Sequence, residues 1–222
     1  MVKLTIDNKT YEMPEVLSIE TWAELIKWDF EDTKYWPRII GTAINCNPLL
    51  LQNVEYGSQE LAIVFIATAM QRRKEVKCKD FNTLTFGEFV DLDVYLTYGV
   101  DKHMLDIMEI LDAKCQDSAE AMWLIDKYTE FRMYTYRSYS ALFGTEEASE
   151  ASGPVDPMQV AKSWYKIIVN LANENLLNID AVTDQPLKKV LNFMALQKEK
   201  QLEEQQRILK QRRQHDLQAN RR

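Results

Sequence analysis

The sequence predicts an α+β fold that is mostly α, with a small hairpin or sheet and a helix at the N-terminus, a helical body, and a C-terminal helical arm ending in a long helix. Three observations carry this. Val2, Leu4 and Ile6 alternate with Lys3, Thr5 and Asp7, the period of a half-buried strand. Thr85 followed by Glu88 is a capping box, in which the hydroxyl accepts from a first-turn amide and the carboxylate reaches back to the cap's own amide. Beyond Asp156, apolar residues recur at three and four, and the last stretch turns to Gln, Glu, Lys and Arg.

Taken in order, Asp7-Asn8-Lys9 makes a tight turn and Thr10-Tyr11-Glu12-Met13 returns as the second strand, ended by Pro14. From Leu17 to Phe30, Ile19, Trp22, Leu25, Ile26 and Phe30 have helical spacing, and Thr21 with Glu24 offers a cap. Strand, turn, strand, helix is the opening order of a β-grasp-like, or ubiquitin-like, module. The short apolar runs Arg38-Ile39-Ile40 and Leu49-Leu50-Leu51 fit either strands of that sheet or buried helical turns. Gln59 to Arg73 reads as a helix with Leu61, Val64, Phe65 and Met70 on one side, although Ile63, Val64 and Ile66 also fit a strand. Residues 1–80 form the expected N-terminal module.

The body covers 81–143. Its first helix begins near Phe86 and turns Phe89, Leu92 and Leu96 inward, with Glu88 and Asp91 wet. Asp101 to Leu111 carries Met104, Leu105, Met108 and Leu111 at helical spacing. Asp117-Ser118 caps a segment reaching Phe143, with Ala121, Leu124, Ile125, Tyr128, Phe131, Thr135, Tyr139 and Leu142 in phase. Tyr128, Tyr134, Tyr136 and Tyr139 beside Arg132 and Arg137 fit base stacking; they also fit a central helix covered on both sides.

Residues 144–157 are small and acidic, a flexible linker by composition. The arm covers 158–222. Asp156 caps its first helix with Pro157 at the first position, where the missing amide costs nothing. Val160, Ala161, Trp164, Ile167, Ile168 and Leu171 form the cleanest amphipathic stripe of the chain. Asp184 caps a final helix that holds Pro186 in its first turn and runs through Val190, Leu191 and Met194 into the polar tail. Leu202 and Leu209 are seven apart, but Lys198 and Gln205 fill the other seam position, so a stable coiled coil is not expected.

Of the 222 residues 46% are apolar, enough for a real core, and the formal charge is −7. The charge is uneven: residues 188–222 hold ten Lys/Arg against four Asp/Glu, leaving 17 against 30 for residues 1–187. An acidic body repels nucleic acid and anionic membrane, whereas a basic tail suits an acidic protein surface, another copy of this body included. Three scattered cysteines without a CxxC argue for a reduced cytosolic setting rather than a disulfide framework. No apolar run suggests a secretory signal or a membrane span.

Chemistry is hard to find. With six glycines, the phosphate-cradling patterns GxGxxG and GxxxxGK are missing, as is GxSxG. The two histidines, His103 and His215, have no companions at zinc spacing. Asp91, Asp93 and Asp101 lack the ligand alternation of a calcium loop and read as a solvated acidic face. No catalytic, cofactor or metal residue is therefore expected. A helical enzyme with a site assembled from distant residues remains a distinct reading, as does an adaptor in which residues 1–80 bind a signalling partner.

The run Leu84-Thr85-Phe86-Gly87-Glu88-Phe89-Val90-Asp91-Leu92-Asp93-Val94-Tyr95-Leu96, followed by His103-Met104-Leu105-Asp106-Ile107-Met108-Glu109-Ile110-Leu111, resembles a segment of tail and baseplate assembly proteins of large contractile-tailed bacteriophages. In those proteins a threonine-phenylalanine-glycine turn enters a helix of the form F-I-D-L-D. The arm is similar to phage tail assembly chaperones, which close with a Trp-bearing helix and then a Lys/Glu/Gln-rich one, here Trp164 and Leu187 to Gln206. The resemblance covers residues 55–111 and, more loosely, the arm; after Leu111 the chain departs, with Ala113-Lys114-Cys115 where those proteins carry an apolar Tyr-Arg-Pro turn. It implies a non-enzymatic tail or baseplate assembly or structural protein without cofactors. Its partners would be other tail or baseplate proteins, or a second copy held through the arm. Its place would be the host cell cytoplasm during assembly, or the tail of the virion. The partner contact then falls on Trp164, Ile168 and Leu171, with Met194 and the basic tail adding to it; the same stripe equally fits packing within the chain.

Overall fold

A computed structural model of the chain describes residues 2–144 and 156–219, with side chains as far as Arg212. It is α+β and mostly α, as the sequence patterns predict. Lys3–Ile6 (β1) pairs antiparallel with Lys9–Glu12 (β2), Leu4 opposite Tyr11 and Ile6 opposite Lys9. Asp7 and Asn8 between them both have positive φ, 48° and 62°. A two-residue turn needs this to match the strands' right-handed twist, and Asp and Asn tolerate it better than most side chains.

Ile19–Leu25 (α1) is shorter than the expected 17–30 and is capped earlier. Ser18, not Thr21, holds the cap, its hydroxyl accepting from the Thr21 amide at 3.1 Å, while Glu24 pairs with Lys27 at 2.8 Å. After Leu25, Asp29 accepts from the Glu31 amide at 2.9 Å, a local side-chain bond that competes with helix. Both ambiguous apolar runs are helical: Trp36–Ala43 (α2), with Pro37 in its first turn, and a 3-10 stretch over Pro48–Asn53 capped by Asn47. The sheet among the described residues therefore has two strands.

Tyr56–Met70 (α3) corrects the expected face. Ala62, Ile63, Ile66 and Ala69 are buried, Phe65 and Met70 half-buried, and Leu61 is 71% exposed with Val64 also outward. The helix is apolar nearly all round, so its pattern offers no polar side to exclude.

Phe86–Tyr98 (α4) begins where the capping box requires. Thr85 Oγ1 accepts from the Glu88 amide at 3.2 Å and the Glu88 carboxylate from the Thr85 amide at 2.9 Å. Gly99, at φ 120°, separates α4 from Val100–Ile110 (α5). The buried line of α5 is Met104, Ile107 and Leu111, and Leu105, expected on it, lies off that line and exposed. Ser118–Ser138 (α6) is capped by Asp117, which accepts from the Glu120 amide at 3.0 Å. Helical geometry breaks at Tyr139, short of the expected Phe143, and Ser140–Phe143 (α7) follows.

The expected linker lies outside the described residues except for Gly144, Asp156 and Pro157. Pro157–Leu171 (α8) is capped as expected, the Asp156 carboxylate accepting from the Met158 amide at 3.0 Å. Ile179–Thr183 (α9) was not legible in the pattern, and it takes the place of the expected Asp184 cap: Asp184 closes α9 instead. Leu187–Ala219 (α10) follows, about 50 Å of helix at 1.5 Å per residue.

The chain divides into two compact units. One holds residues up to Lys79 together with Tyr95–Thr129; the other holds Asp80–Val94 and Glu130 onward. In the first, the N-terminal stretch is stitched to α5 and α6. The Ser118 amide donates to the Leu17 carbonyl at 2.9 Å, Lys74 to Ala119 at 3.1 Å and Lys79 to Leu111 at 2.8 Å. Arg73 pairs with Asp126 at 2.5 Å, and Lys74 with the nearly buried Glu120 at 2.7 Å.

In the second unit, Thr85 and Pro186 form an isolated antiparallel bridge. The Phe86 amide donates to the Gln185 carbonyl at 2.8 Å and the Leu187 amide to the Leu84 carbonyl at 3.0 Å. Proline thus sits at the pair position that makes no hydrogen bond and loses none. Gly87 meets the same segment: a Cβ there would stand 2.9 Å from Thr183 Cβ, so this helical glycine serves close approach.

Two outcomes follow for the first unit. A fragment of residues 1–80 gives a poorly dispersed amide NMR spectrum, because its backbone partners on α5 and α6 are gone; a well-dispersed spectrum contradicts this. The Lys74 ammonium and then the Gln116 amide, at 2.7 Å, hold the Glu120 carboxyl below its ordinary value near 4.5. A lowered folded pKa contributes stability above the unfolded value and loses it as pH falls through the folded one. The stability gap between wild type and Glu120→Gln, measured by urea unfolding, is therefore constant above about pH 5 and shrinks below it.

Candidate interaction site

The second unit is centred on Asp93, a carboxylate only 1% exposed. It lies on the buried stripe of α4 with Phe86, Phe89 and Val90, so helical phase delivers an anion into an apolar interior. Three donors from two other helices meet it. Arg132 Nε and the Tyr136 hydroxyl, at 2.7 Å, reach Oδ1 from α6, and Trp164 Nε1 reaches Oδ2 from α8 at 2.6 Å. Arg132 and Tyr136 are one helical turn apart and share a face, where the guanidinium also lies over the Tyr136 ring, 4.6 Å from its centroid.

Aromatic rings close around this cluster. Trp164 packs edge-on to Phe86, Phe89 and Phe143, with centroids 5.9, 6.0 and 5.9 Å away, and Tyr136 stacks on Phe143 at 4.4 Å. Burial, with the Asp93 charge beside it, pushes the Tyr136 phenol well above its ordinary range, so it stays a proton donor at neutral pH. Both Asp93 oxygens are taken by these donors. The chemistry of the cluster is cohesion: it clamps α4, α6 and α8.

This is where the stripe chosen for partner binding lies. Trp164 is 5% exposed and Ile168 is buried, both covered by the chain's own residues, while Leu171 and Met194 are half-buried. A foreign segment would have to displace the chain's own packing to reach Trp164. Most of the stacking set is likewise used internally: Tyr128 is buried, Arg132 and Tyr136 serve Asp93, and Tyr139 donates to Asn192 at 2.8 Å, while Tyr134, 71% exposed, and Arg137 face outward. Of the aspartates weighed as cation ligands, Asp93 is in the clamp and Asp91 is exposed. Among the described residues no group of three or more His, Cys, Asp or Glu could hold a metal ion. Nor is any described helix long and apolar enough to cross a membrane.

The outer part of α10, by contrast, stays uncovered. Its first turns bury Leu187, Val190 and Leu191, and Met194 is half-buried on the same face. Steps of three and four carry that face on through Lys198, Leu202, Gln205 and Leu209. Every residue from Leu196 to Arg212 is exposed, Leu202, Ile208 and Leu209 included. One stripe is therefore covered at its root and bare along about 25 Å beyond it.

No family model, curated protein or solved structure matches the chain. Sequence reasoning missed the Asp93 clamp, for which there was a signal: a carboxylate in phase with Phe86, Phe89 and Val90, and an Arg-x-x-x-Tyr pair on α6 to meet it.

Breaking the clamp is costly. Arg132→Ala leaves the Asp93 charge buried without its cation and lowers stability by about 3–5 kcal/mol. Trp164→Phe keeps the ring but removes the indole donor, at about 1–3 kcal/mol. Urea unfolding followed by circular dichroism reads both, and near-zero changes would show that the clamp does not hold the unit.

Proposed function

We propose that the chain is a non-enzymatic assembly protein of a phage tail or baseplate that acts by binding other proteins through α10. The observation that carries the reading is the stripe of α10, packed over its first turns and bare from Leu196 to Arg212 with Leu202, Ile208 and Leu209 outward. An amphipathic helix that displays apolar residues at helical spacing is a ready element for a partner's groove. Its Lys and Arg residues steer it to acidic surfaces.

The particular partners come from the resemblance of residues 84–111. The threonine-phenylalanine-glycine turn of that motif has a local use here, since Thr85 caps, Phe86 is fully buried and Gly87 lets Thr183 approach. Tail or baseplate proteins are the proposed partners, met in the host cell cytoplasm during assembly. Trp164 and Ile168 support the site from inside, and the contact itself moves outward along α10.

The test is recovery of tagged protein from phage-producing cells, with the bound proteins identified by mass spectrometry. A chain ended after Ala195 is the comparison, because a cut at Gly153 would also take Trp164 out of the clamp. Tail or baseplate proteins come down with the full chain and are lost with the shortened one. If the full chain brings down none of them, or both bring down the same set, the proposal fails.

A further inference from the structure

The turn after α8 holds two leucines out of the fold. The chain leaves Leu171 and passes through Asn173 and Glu174, both at positive φ, 54° and 58°. The Glu174 amide donates to the Val169 carbonyl at 2.9 Å, the Asn175 side chain accepts from the Leu177 amide at 3.0 Å, and Asn178 Nδ2 donates to the Ala172 carbonyl at 3.3 Å. On this hydrogen-bonded turn Leu176 is 76% exposed and Leu177 87%. Adjacent exposed leucines held by a bonded turn form a knob rather than a loose loop, and an apolar knob rimmed by polar groups marks a contact site. The rim has one sign: Glu174, Asp180 and Asp184 are exposed, and no Lys or Arg occurs between Lys166 and Lys188.

The end of α10 has the opposite makeup. Leu202, Ile208 and Leu209 are exposed there, and the bare stretch from Leu196 to Arg212 holds five Lys/Arg against three Glu, with Arg207, Lys210 and Arg212 and no acid after Glu204. The two surfaces match in both respects, apolar against apolar and basic against acidic, and both belong to this chain. An unbroken helix carries Leu202 about 22 Å and Leu209 about 33 Å beyond Leu187. Both surfaces are exposed in the chain itself, so its own arm does not cover its own turn, and a second copy offers each of them a matching surface.

We propose that the bare part of α10 of one copy docks on the acidic Leu176–Leu177 turn of a second copy. The inference rests on reading α10 as a docking element and names its occupant. Because the two surfaces differ, the contact is heterologous, and every added copy brings a free arm and a free turn, which allows a ring or an open chain of copies to grow.

Sedimentation velocity of the full chain from about 1 to 100 µM tests it. Wild type associates with rising concentration, and about 1 M salt weakens the association by screening. The turn variant, Leu176→Asp with Leu177→Asp, and the arm variant, Leu202→Asp with Leu209→Asp, are each monomeric alone with unchanged circular dichroism. An equimolar mixture of the two gives a dimer that grows no further, since only one intact arm and one intact turn remain to meet. A wild-type chain that stays monomeric, a turn variant that associates like wild type, or a mixture that stays monomeric each overturns the inference. Recovery of tail proteins is a separate readout: a monomer that still recovers them refutes self-docking and leaves the proposed function standing. Self-association without tail proteins does the reverse.

Discussion

The second unit depends on one buried anion. Moving a carboxylate out of water is expensive, and it is tolerated inside only when charge and hydrogen bonds are returned to it. Asp93 receives Arg132, the Tyr136 hydroxyl and the Trp164 indole, so it is stable only where α4, α6 and α8 converge in one arrangement. A shift of one of these helices by a turn would carry a donor away and leave a charge unpaired in the interior. The aromatic rings then fill around a geometry already set by polar contacts.

A second constraint fixes where α10 starts. The bridge between Thr85 and Pro186 ties the segment before α10 to the capping residue of α4, and Gly87 lets Thr183 close in beside it. Lys188 Nζ reaches the Asn82 side chain at 2.8 Å and completes the junction. The direction of the arm is thus set by the same few residues, 82 to 88, that start α4. A motif that reads in sequence as a helix start is in the structure also a helix socket.

Local signals were legible where the physics is local. The Thr85–Glu88 box, the Asp156–Pro157 start and the Asp7–Asn8 turn each need only near neighbours, and each is present as the residues imply. Where the choice belongs to tertiary packing, the pattern was silent or pointed elsewhere. On α3 an apolar residue faces every direction, and Ile63 and Ile66 go inside while Leu61 and Val64 do not. On α1 the cap is Ser18 rather than Thr21, and Glu24, three residues past Thr21, pairs with Lys27 instead of reaching back. The Trp164 stripe was plain to see, but periodicity names an apolar face without naming what covers it; here the cover is the chain itself. Two of the three unit boundaries fall inside α4 and α6, where composition does not change; the third, between Lys79 and Asp80, precedes α4.

The long final helix has a consequence for its own order. A solitary helix of this composition would be marginal in water, because the first turn must fix several residues for a single hydrogen bond. In α10 that step is completed inside the unit, where Leu187, Val190 and Leu191 are buried. The first turns act as a standing nucleus, and the outer turns require only propagation, one bond for each residue fixed. Helicity of the arm should therefore decay from its tip inward, and it is slaved to the integrity of the unit at its root. Loosening the Asp93 clamp would shorten the arm without altering a single residue of it.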